Sequence, residues 1–561
     1  MAATDPRDHF PLLLHALCDR GARMQPDNLI ITKTSAGYNT LTFQEHQARA
    51  LRLASALDKW GVQVGDRVAT MLWNTSWHLQ CYHAISCMGA VLHTLNLRLG
   101  AQDLAFTIRH AADRVIIVDG TVLEALARVE SPVLESVELY LCAGDDGVPG
   151  KWALPPAIPR AKTQDFEAFL STGSETFLWP LIPETSPHAL CYTSGTTGVP
   201  KGVAYSQRST YLHTLASCGA DQLGIRGSEV VLPFVPMFHV LSWGVPFVLM
   251  MLGTRTVFSG RFMDADSLLD CMLDWGVHFS LGVPTVWRGV RQAIEKRGVA
   301  SVAGALKLRT LTCGGSAPPP EMMAWFGDEL SVEFVQGWGM TETNPLGCLG
   351  RRVARHRDLS KGPEELLSNT SRAGLLLPGV DARVADPGNL DRDMPQGRAG
   401  ELLVRGPWVI QEYFQCPAPD KFHRGWLVTG DVARIDEEGA IVISDRSKDV
   451  IKSGGEWISS IDLENHITAM DGIAMAAVVA VPHPRWDERP LAAVVLEPGV
   501  SRKGLKQRID EHCLKRFARF QLPDDVVVWA EIPLTSMGKI DKAAIRERLR
   551  AEAYVLPTAK L

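Results

Sequence analysis

A chain of 561 residues and 61.5 kDa is longer than one hydrophobic core organises, so at least two folding units are expected. With 46% hydrophobic and 21% charged residues and a mean hydropathy of +0.01, the composition excludes disordered, collagenous and coiled-coil classes. Lys and Arg total 57 against 63 Asp and Glu, a net charge of -6, and this leaves no basic field to hold a nucleic acid.

The opening residues, Met1 to Phe10, mix Asp5, Arg7 and Asp8 with no apolar core, so no secretory signal is expected there. Eleven cysteines are scattered from Cys18 to Cys513 without a C-x-x-C pair; they read as reduced thiols and fit neither a disulfide framework nor a zinc cluster. Thr42 to Trp60 has the spacing of an amphipathic helix, and Arg67–Leu72, Ala90–Leu95 and Arg114–Asp119 read as buried strands. Strands alternating with helices imply a parallel sheet. Ala153–Pro159 (ALPPAIP) reads as an exposed connector by composition. The same α/β rhythm returns at Glu229–Leu232, Thr254–Phe258, Phe279–Gly282 and Leu308–Cys313, which predicts a second layer built like the first. Val230 to Leu252 has the length of a membrane span, but Pro233, Pro236, Pro246, Gly244 and His239 break it into short buried strands or turns that wall a pocket. From Gly379 to Asp445 the strands shorten and turns recur, as in a small β-barrel. A boundary falls after Asp445, giving residues 1–445 and 446–561, and the remainder suffices for a separate α+β domain.

Thr193 to Gly202 reads TSGTTGVPKG and follows the strand-like Ala189–Tyr192. Four hydroxyls, three glycines and Lys201 in ten residues suit a loop whose amides and hydroxyls surround phosphate oxygens. It is not a Walker A loop: counted from Gly195, Pro200 and Gly202 stand where that motif needs glycine and a hydroxyl. Further along, Glu342 lies beside Thr341 and Thr343 in the Gly-punctuated GWGMTET, a donor type suited to holding Mg²⁺ against phosphates, and Trp338 offers a flat face or a core residue. Asp431 in TGD sits where a carboxylate can accept two ribose hydroxyls. Lys539 follows Gly538 in a turn that can project its ammonium.

These motifs, in this order and followed along the whole chain, resemble those of the adenylate-forming enzymes: acyl-CoA synthetases, firefly-type luciferases and peptide-synthetase adenylation domains. The resemblance implies an α/β fold with a large N-terminal domain of two α/β subdomains plus a small β-barrel, and a smaller, mobile α+β C-terminal domain. It implies that Thr193, Ser194, Gly195, Thr196, Thr197, Lys201, Gly315, Trp338, Gly339, Asp431 and Arg446 bind ATP and AMP, with Trp338 against adenine and Asp431 and Arg446 at the ribose. Thr341 would contact the α-phosphate and Glu342 the metal. Lys539 would bridge the substrate carboxylate and the α-phosphate, and the C-terminal domain would pivot at Lys448, in a hinge near 446–449. Lys452, Ser453, Gly454 and Gly455 would meet CoA.

Pro236–Trp243 (PMFHVLSW) resembles the segment of fatty-acyl-CoA synthetases in which an aromatic gate follows a histidine, which makes His239 a catalytic and acyl-side candidate and Trp243 the gate. Gly314 and Gly315 resemble the glycines lining the adenine and acyl sites. Amino-acid-activating relatives place an aspartate near this segment, and none stands between Val230 and Leu252. The activity implied is an ATP-dependent, AMP-forming acyl-CoA synthetase for a medium- or long-chain fatty acid, with ATP, Mg²⁺ and CoA as cofactor and cosubstrates. A CoA ligase for a short thioether or branched acid, methylmercaptopropionate-like, is the nearest alternative; a luciferase-like oxygenase and a non-catalytic acyl-binding protein are more distant ones. No nucleic-acid partner and no transmembrane segment are expected, and nothing in the sequence decides for or against a homodimer. The ending Ala559-Lys560-Leu561 is similar to the S-K-L address, peroxisomal in a eukaryote and without meaning in a bacterium, where the cytoplasm is expected.

Overall fold

The computed structural model describes residues 10–144, 152–193, 199–351, 372–454, 456–535, 539–552 and 554. The helix Phe43–Trp60 shows how closely local sequence sets the elements. Thr42 caps it in a reciprocal box with Glu45, Gly61 ends it at φ 111°, and Phe43, Ala50, Leu53, Ala54 and Leu57 form its buried face.

Two α/β layers make the large domain. The first is a seven-stranded sheet in the order Thr163–Asp165, Leu139–Ala143, Val115–Asp119, Arg67–Met71, Val91–Thr94, Pro187–Thr193 and Lys201–Ser206, parallel except for the last pair. That last pair is a hairpin in which Thr193 stands opposite Lys201, so the TSGTTGVPKG loop springs from the sheet. The second is a nine-stranded sheet whose parallel centre runs through Glu333–Gly339, Thr310–Cys313, Phe279–Gly282, Val230–Pro233, Arg255–Phe258 and Leu29–Thr34. Strands buried on both faces read as unbroken apolar runs, as Val115–Asp119 does.

The third unit is a six-stranded antiparallel sheet, nearly closed, between Asp381 and Arg446. Its last strand, Ile441–Arg446, runs one residue past the expected boundary, because Arg446 pairs in register with Asp431. The small domain carries a mixed five-stranded sheet around Ile473–His483 and Asp487–Leu496 with the helices Ser460–Thr468, Leu505–Cys513 and Lys542–Ala551.

Two sequence expectations need correction. Val230–Leu252 holds a true helix, Val245–Leu252, besides its strand Val230–Pro233. Pro246 lies in the first turn, where the missing N–H costs nothing, and left-handed Gly244 and Gly253 bound the helix. Ala153–Pro159 is not simply exposed: Ile158 is buried in the core of the first layer. Among the described residues no helix is long and apolar enough to cross a membrane. All eleven cysteines are free thiols.

Candidate active site

The residues singled out in the sequence converge where the large domain, the six-stranded sheet and the small domain meet. On the six-stranded sheet Asp431 is buried, and its carboxylate is shared by two donors: Arg446 Nε lies 2.8 Å from Oδ1 and Trp338 Nε1 donates to Oδ2 at 2.9 Å. The Asp431 carboxylate holds the Arg446 guanidinium above its ordinary range. Trp338 is therefore fixed edge-on by a hydrogen bond while its ring covers Gly347, where an added Cβ would fall 2.4 Å from Cζ3. Gly339 is required for a close approach, since a Cβ there would lie 1.8 Å from the Pro345 carbonyl oxygen.

Thr341 and Glu342 occupy a short 3₁₀ turn and are buried. Tyr205 Oη donates to the Thr341 carbonyl at 2.7 Å, and Tyr413 Oη donates to Glu342 Oε1 at 2.6 Å. Lys201 Nζ sits 5.1 Å from the centre of the Tyr413 ring, which links the phosphate-loop lysine to the acidic turn. One carboxylate oxygen of Glu342 is thus held, and an ionised carboxylate has acceptor capacity left over, so the donor chemistry fits Mg²⁺ beside an ATP phosphate. Thr193 and Lys201 are half-buried at the root of the hairpin; Ser194, Gly195, Thr196 and Thr197 lie outside the described residues, as do Gly455, Gly538 and Ala559-Lys560-Leu561.

From the small domain, Lys539 reaches the large one. An added Cβ on Gly315, at φ +83°, would lie 2.8 Å from Lys539 Cε and 3.3 Å from its Nζ. Burial, with Arg446 close by, pushes the Lys539 ammonium down to about 8. His239 faces the same ammonium; burial first and Lys539 second push its imidazole down to about 3, so it is neutral at working pH.

The acyl-side candidates form a strained corner. Val240, Leu241, Ser242 and Trp243 all have positive φ, between 46° and 57°, and Gly244 follows at 72°. Each left-handed non-glycine residue costs about 1–2 kcal/mol, so surrounding contacts must over-determine this turn. Ser242 Oγ donates to the Val235 carbonyl at 2.7 Å, and the Trp243 indole lies on Gly314, where a Cβ would be 2.8 Å from Cη2. Trp243 is buried, closing that side.

Around Lys448 the anchoring changes sides. Ser447 Oγ donates to Glu401 Oε2 at 2.6 Å and Ser447 N to the Gly430 carbonyl, both on the six-stranded sheet. Asp449 instead pairs with Arg546 at 2.6 Å, on the helix Lys542–Ala551 that follows Lys539. Lys448 between them is exposed. The proposed CoA residues stand on the small domain's own sheet. Ser453 is buried and takes a hydrogen bond from Arg489 at 3.0 Å, whereas Lys452 and Gly454 are exposed, the latter at φ +61° with the Trp486 ring beside it. Sequence reasoning missed Tyr205, Tyr413 and Glu401. Each acts through one hydroxyl or carboxylate; Tyr413 and Glu401 have no neighbouring motif to mark them, and Tyr205 stands three residues past the Thr193–Gly202 motif without belonging to it.

The buried Asp431 carboxylate, its half-buried partner Arg446 and Lys539 from the small domain thus lie close together. The chain belongs to the AMP-binding enzyme family: residues 18–414 match that family and residues 462–539 match the AMP-binding enzyme C-terminal domain. It is 38% identical over 542 residues to a 3-methylmercaptopropionyl-CoA ligase of Ruegeria lacuscaerulensis, covering 96% of this chain and 98% of the other. It is 38% identical to a medium-chain-fatty-acid–CoA ligase of Ectopseudomonas oleovorans (96% and 95% covered) and 39% identical to a long-chain-fatty-acid–CoA ligase of Thermus thermophilus (95% and 94%). The structure of ATP-bound MatB from Rhodopseudomonas palustris superposes with a TM-score of 0.79 at 25% identity, covering 96% of this chain and 99% of that one. The protein is an AMP-forming acid–CoA ligase that uses ATP, Mg²⁺ and CoA.

Proposed function

We propose that this ligase activates a medium- or long-chain aliphatic carboxylic acid. The observation that carries the reading is the acyl side itself: Val235, Met237, Val240 and Leu241 share one buried apolar core with Trp243, with no Asp, Glu, Lys or Arg in the segment to meet a polar tail. In the first step a carboxylate oxygen of the acid bonds to the α-phosphorus of ATP and pyrophosphate leaves. Lys539 sits between the incoming carboxylate and the phosphate, while Asp431 and Arg446 hold the ribose and Trp338 borders the adenine. Glu342 would hold the Mg²⁺, which supplies charge neutralisation at the phosphates. In the second step the CoA sulfur bonds to the acyl carbon, AMP leaves, and the thiol proton passes to solvent. The change of anchoring at Lys448 supports a pivot there, with residues after it moving together to withdraw Lys539 and present the small domain's other face. The bacterial relatives favour a cytoplasmic location.

A second reading, a short thioether acid, is favoured by the relative of that activity and by the Trp243 indole closing down on Gly314. Pyrophosphate release and thioester formation across a panel of acids decide between them. Highest kcat/KM on a medium or long straight-chain acid upholds the first reading; highest kcat/KM on the methylthio acid replaces it with the second. Oxygen uptake or light without thioester would refute both.

A further inference from the structure

Far from the nucleotide residues in sequence, two helices of the large domain bury an unusual polar group. Cys18 from the helix His15–Met24 and His83 and Cys87 from the helix Ser76–Cys87 bring one ligand atom each within 4.8 Å of one another, all buried. Among the described residues this is the one such group of three. Leu14, Leu17, Leu53, Leu57 and Leu79 belong to the same apolar core as the two cysteines.

Both nitrogens of His83 have partners, and the unpaired buried atoms lie on its neighbours His46 and Gln80. His83 Nε2 lies 3.0 Å from Asp19 Oδ1, whose other oxygen accepts from Trp179 Nε1 at 2.9 Å. That carboxylate takes the proton-bearing nitrogen of His83 and fixes the tautomer in which Nδ1 carries the lone pair. In that tautomer Nδ1 accepts from His46 Nε2 at 3.3 Å, a contact that a bound metal would displace, and His46 Nδ1 has no partner, as is also true of both amide atoms of Gln80 one turn before His83. The Trp179 ring stacks on the His83 ring at 5.5 Å.

We propose that Cys18, His83 and Cys87 form a binding site for one thiophilic divalent cation of the Zn²⁺ class. Two thiolates and an imidazole match its preferred donors, and a carboxylate behind the imidazole is the usual orienting partner. Zn²⁺ at about 2.3 Å from sulfur and about 2.0 Å from nitrogen sets ligand atoms roughly 3.5–3.8 Å apart, so side-chain rotations of about an ångström complete the set. Asp19 behind the imidazole is half-buried, and a water would complete the tetrahedral set. Each thiol loses its proton to solvent when the metal binds. The pattern was invisible as a motif because its cysteines come from two helices 69 positions apart in the chain (87 − 18). The site would tie the helix His15–Met24 in place, and that helix rests on the acyl-side helix Val245–Leu252, where a Cβ on Gly21 would lie 2.2 Å from the Met250 carbonyl oxygen.

The test uses the full-length protein, stripped with a chelator and titrated with Co²⁺ in reducing buffer, and in parallel the protein produced in cobalt-supplemented medium. The expected result is a thiolate-to-Co²⁺ charge-transfer band saturating at one equivalent, bleached by Zn²⁺, and a melting temperature raised by either metal. Cys87→Ser and His83→Ala should lose the band, whereas Cys81→Ser, on the same helix and outside the group, should keep it. A folded wild-type protein with no such band in either preparation would overturn the proposal. So would a band that survives Cys87→Ser, or a Cys18–Cys87 disulfide in the isolated protein.

Discussion

Around Asp431 each functional side chain is held by a charged or hydrogen-bonded partner, whereas around Trp243 the chain is held by apolar packing and a left-handed turn. Asp431, Arg446, Trp338, Glu342 and Tyr413 form short, directional contacts. Val240 to Trp243 depend on burial and on one hydroxyl, Ser242. The difference teaches which properties a sequence must specify. Phosphate, ribose and metal chemistry needs particular atoms at particular places, while an aliphatic tail needs only volume, and each added buried CH₂ is worth about 0.8 kcal/mol.

Changes at the junction should break the coupling between the two halves of the reaction most severely. Lys448→Pro fixes φ where the anchoring passes from Glu401 to Arg546 and disfavours the helical region for Ser447. It is expected to keep much of its acyl-adenylate formation and to lose most of its thioester formation, measured as separate half-reactions. A parallel fall in both with a lowered melting temperature would mean misfolding instead.

On the nucleotide side, Asp431→Asn leaves Arg446 without its carboxylate and weakens the ribose contacts. Charge-assisted hydrogen bonds are worth about 1.5–3 kcal/mol, so the KM for ATP should rise roughly 10–100-fold while the KM for the acid stays near wild type. The same side should show a pH limb. If catalysis needs the Lys539 ammonium, whose pKa burial has pushed down to about 8, its cationic fraction is full below that pH and lost above it. kcat/KM for adenylation should then fall as pH rises through about 8, and Lys539→Arg, charged throughout, should remove that limb even at lower activity.

The smallest effect belongs to the acyl side. Trp243→Ala opens the space above Gly314 and should change the KM for the acid and its preferred chain length by up to about tenfold, with ATP kinetics unchanged. If the KM for ATP rose as much as that for the acid, Trp243 would be core packing shared by both sides.

What was legible in the sequence follows the same division. Asp431, Glu342 and Lys539 were singled out because oxygen and nitrogen chemistry restricts residue type within short motifs, and Arg446 by the family resemblance; the structure places Lys539 beside Gly315 and Arg446 beside Asp431. Tyr205, Tyr413 and Glu401 could not be read that way: Tyr413 and Glu401 are single side chains arriving from a distant loop and strand, and Tyr205, though on the strand that carries Lys201, reads as an ordinary buried strand residue. The strands that were read in the two layers, from Arg67–Leu72 to Leu308–Cys313, match the observed ones to within a residue or two, whereas Leu29–Thr34, Leu139–Ala143 and Glu333–Gly339 went unread. The helix Val245–Leu252 was not legible, because Pro246 in its first turn looks like a breaker unless the helix start is known. Ser453 shows the converse: a motif residue whose hydroxyl is occupied by Arg489, which only the small domain's sheet reveals.

The reaction is proposed to proceed by one lysine serving one half-reaction, and Lys539→Ala tests this most directly. Pyrophosphate formation from ATP and the acid, and thioester formation from supplied acyl-adenylate and CoA, should be measured on the same preparation. Loss of a preorganised cation in adenylation predicts a fall of about 10²–10³-fold or more in the first, with the second close to wild type. Equal losses in both would contradict domain alternation and return Lys539 to a general structural role.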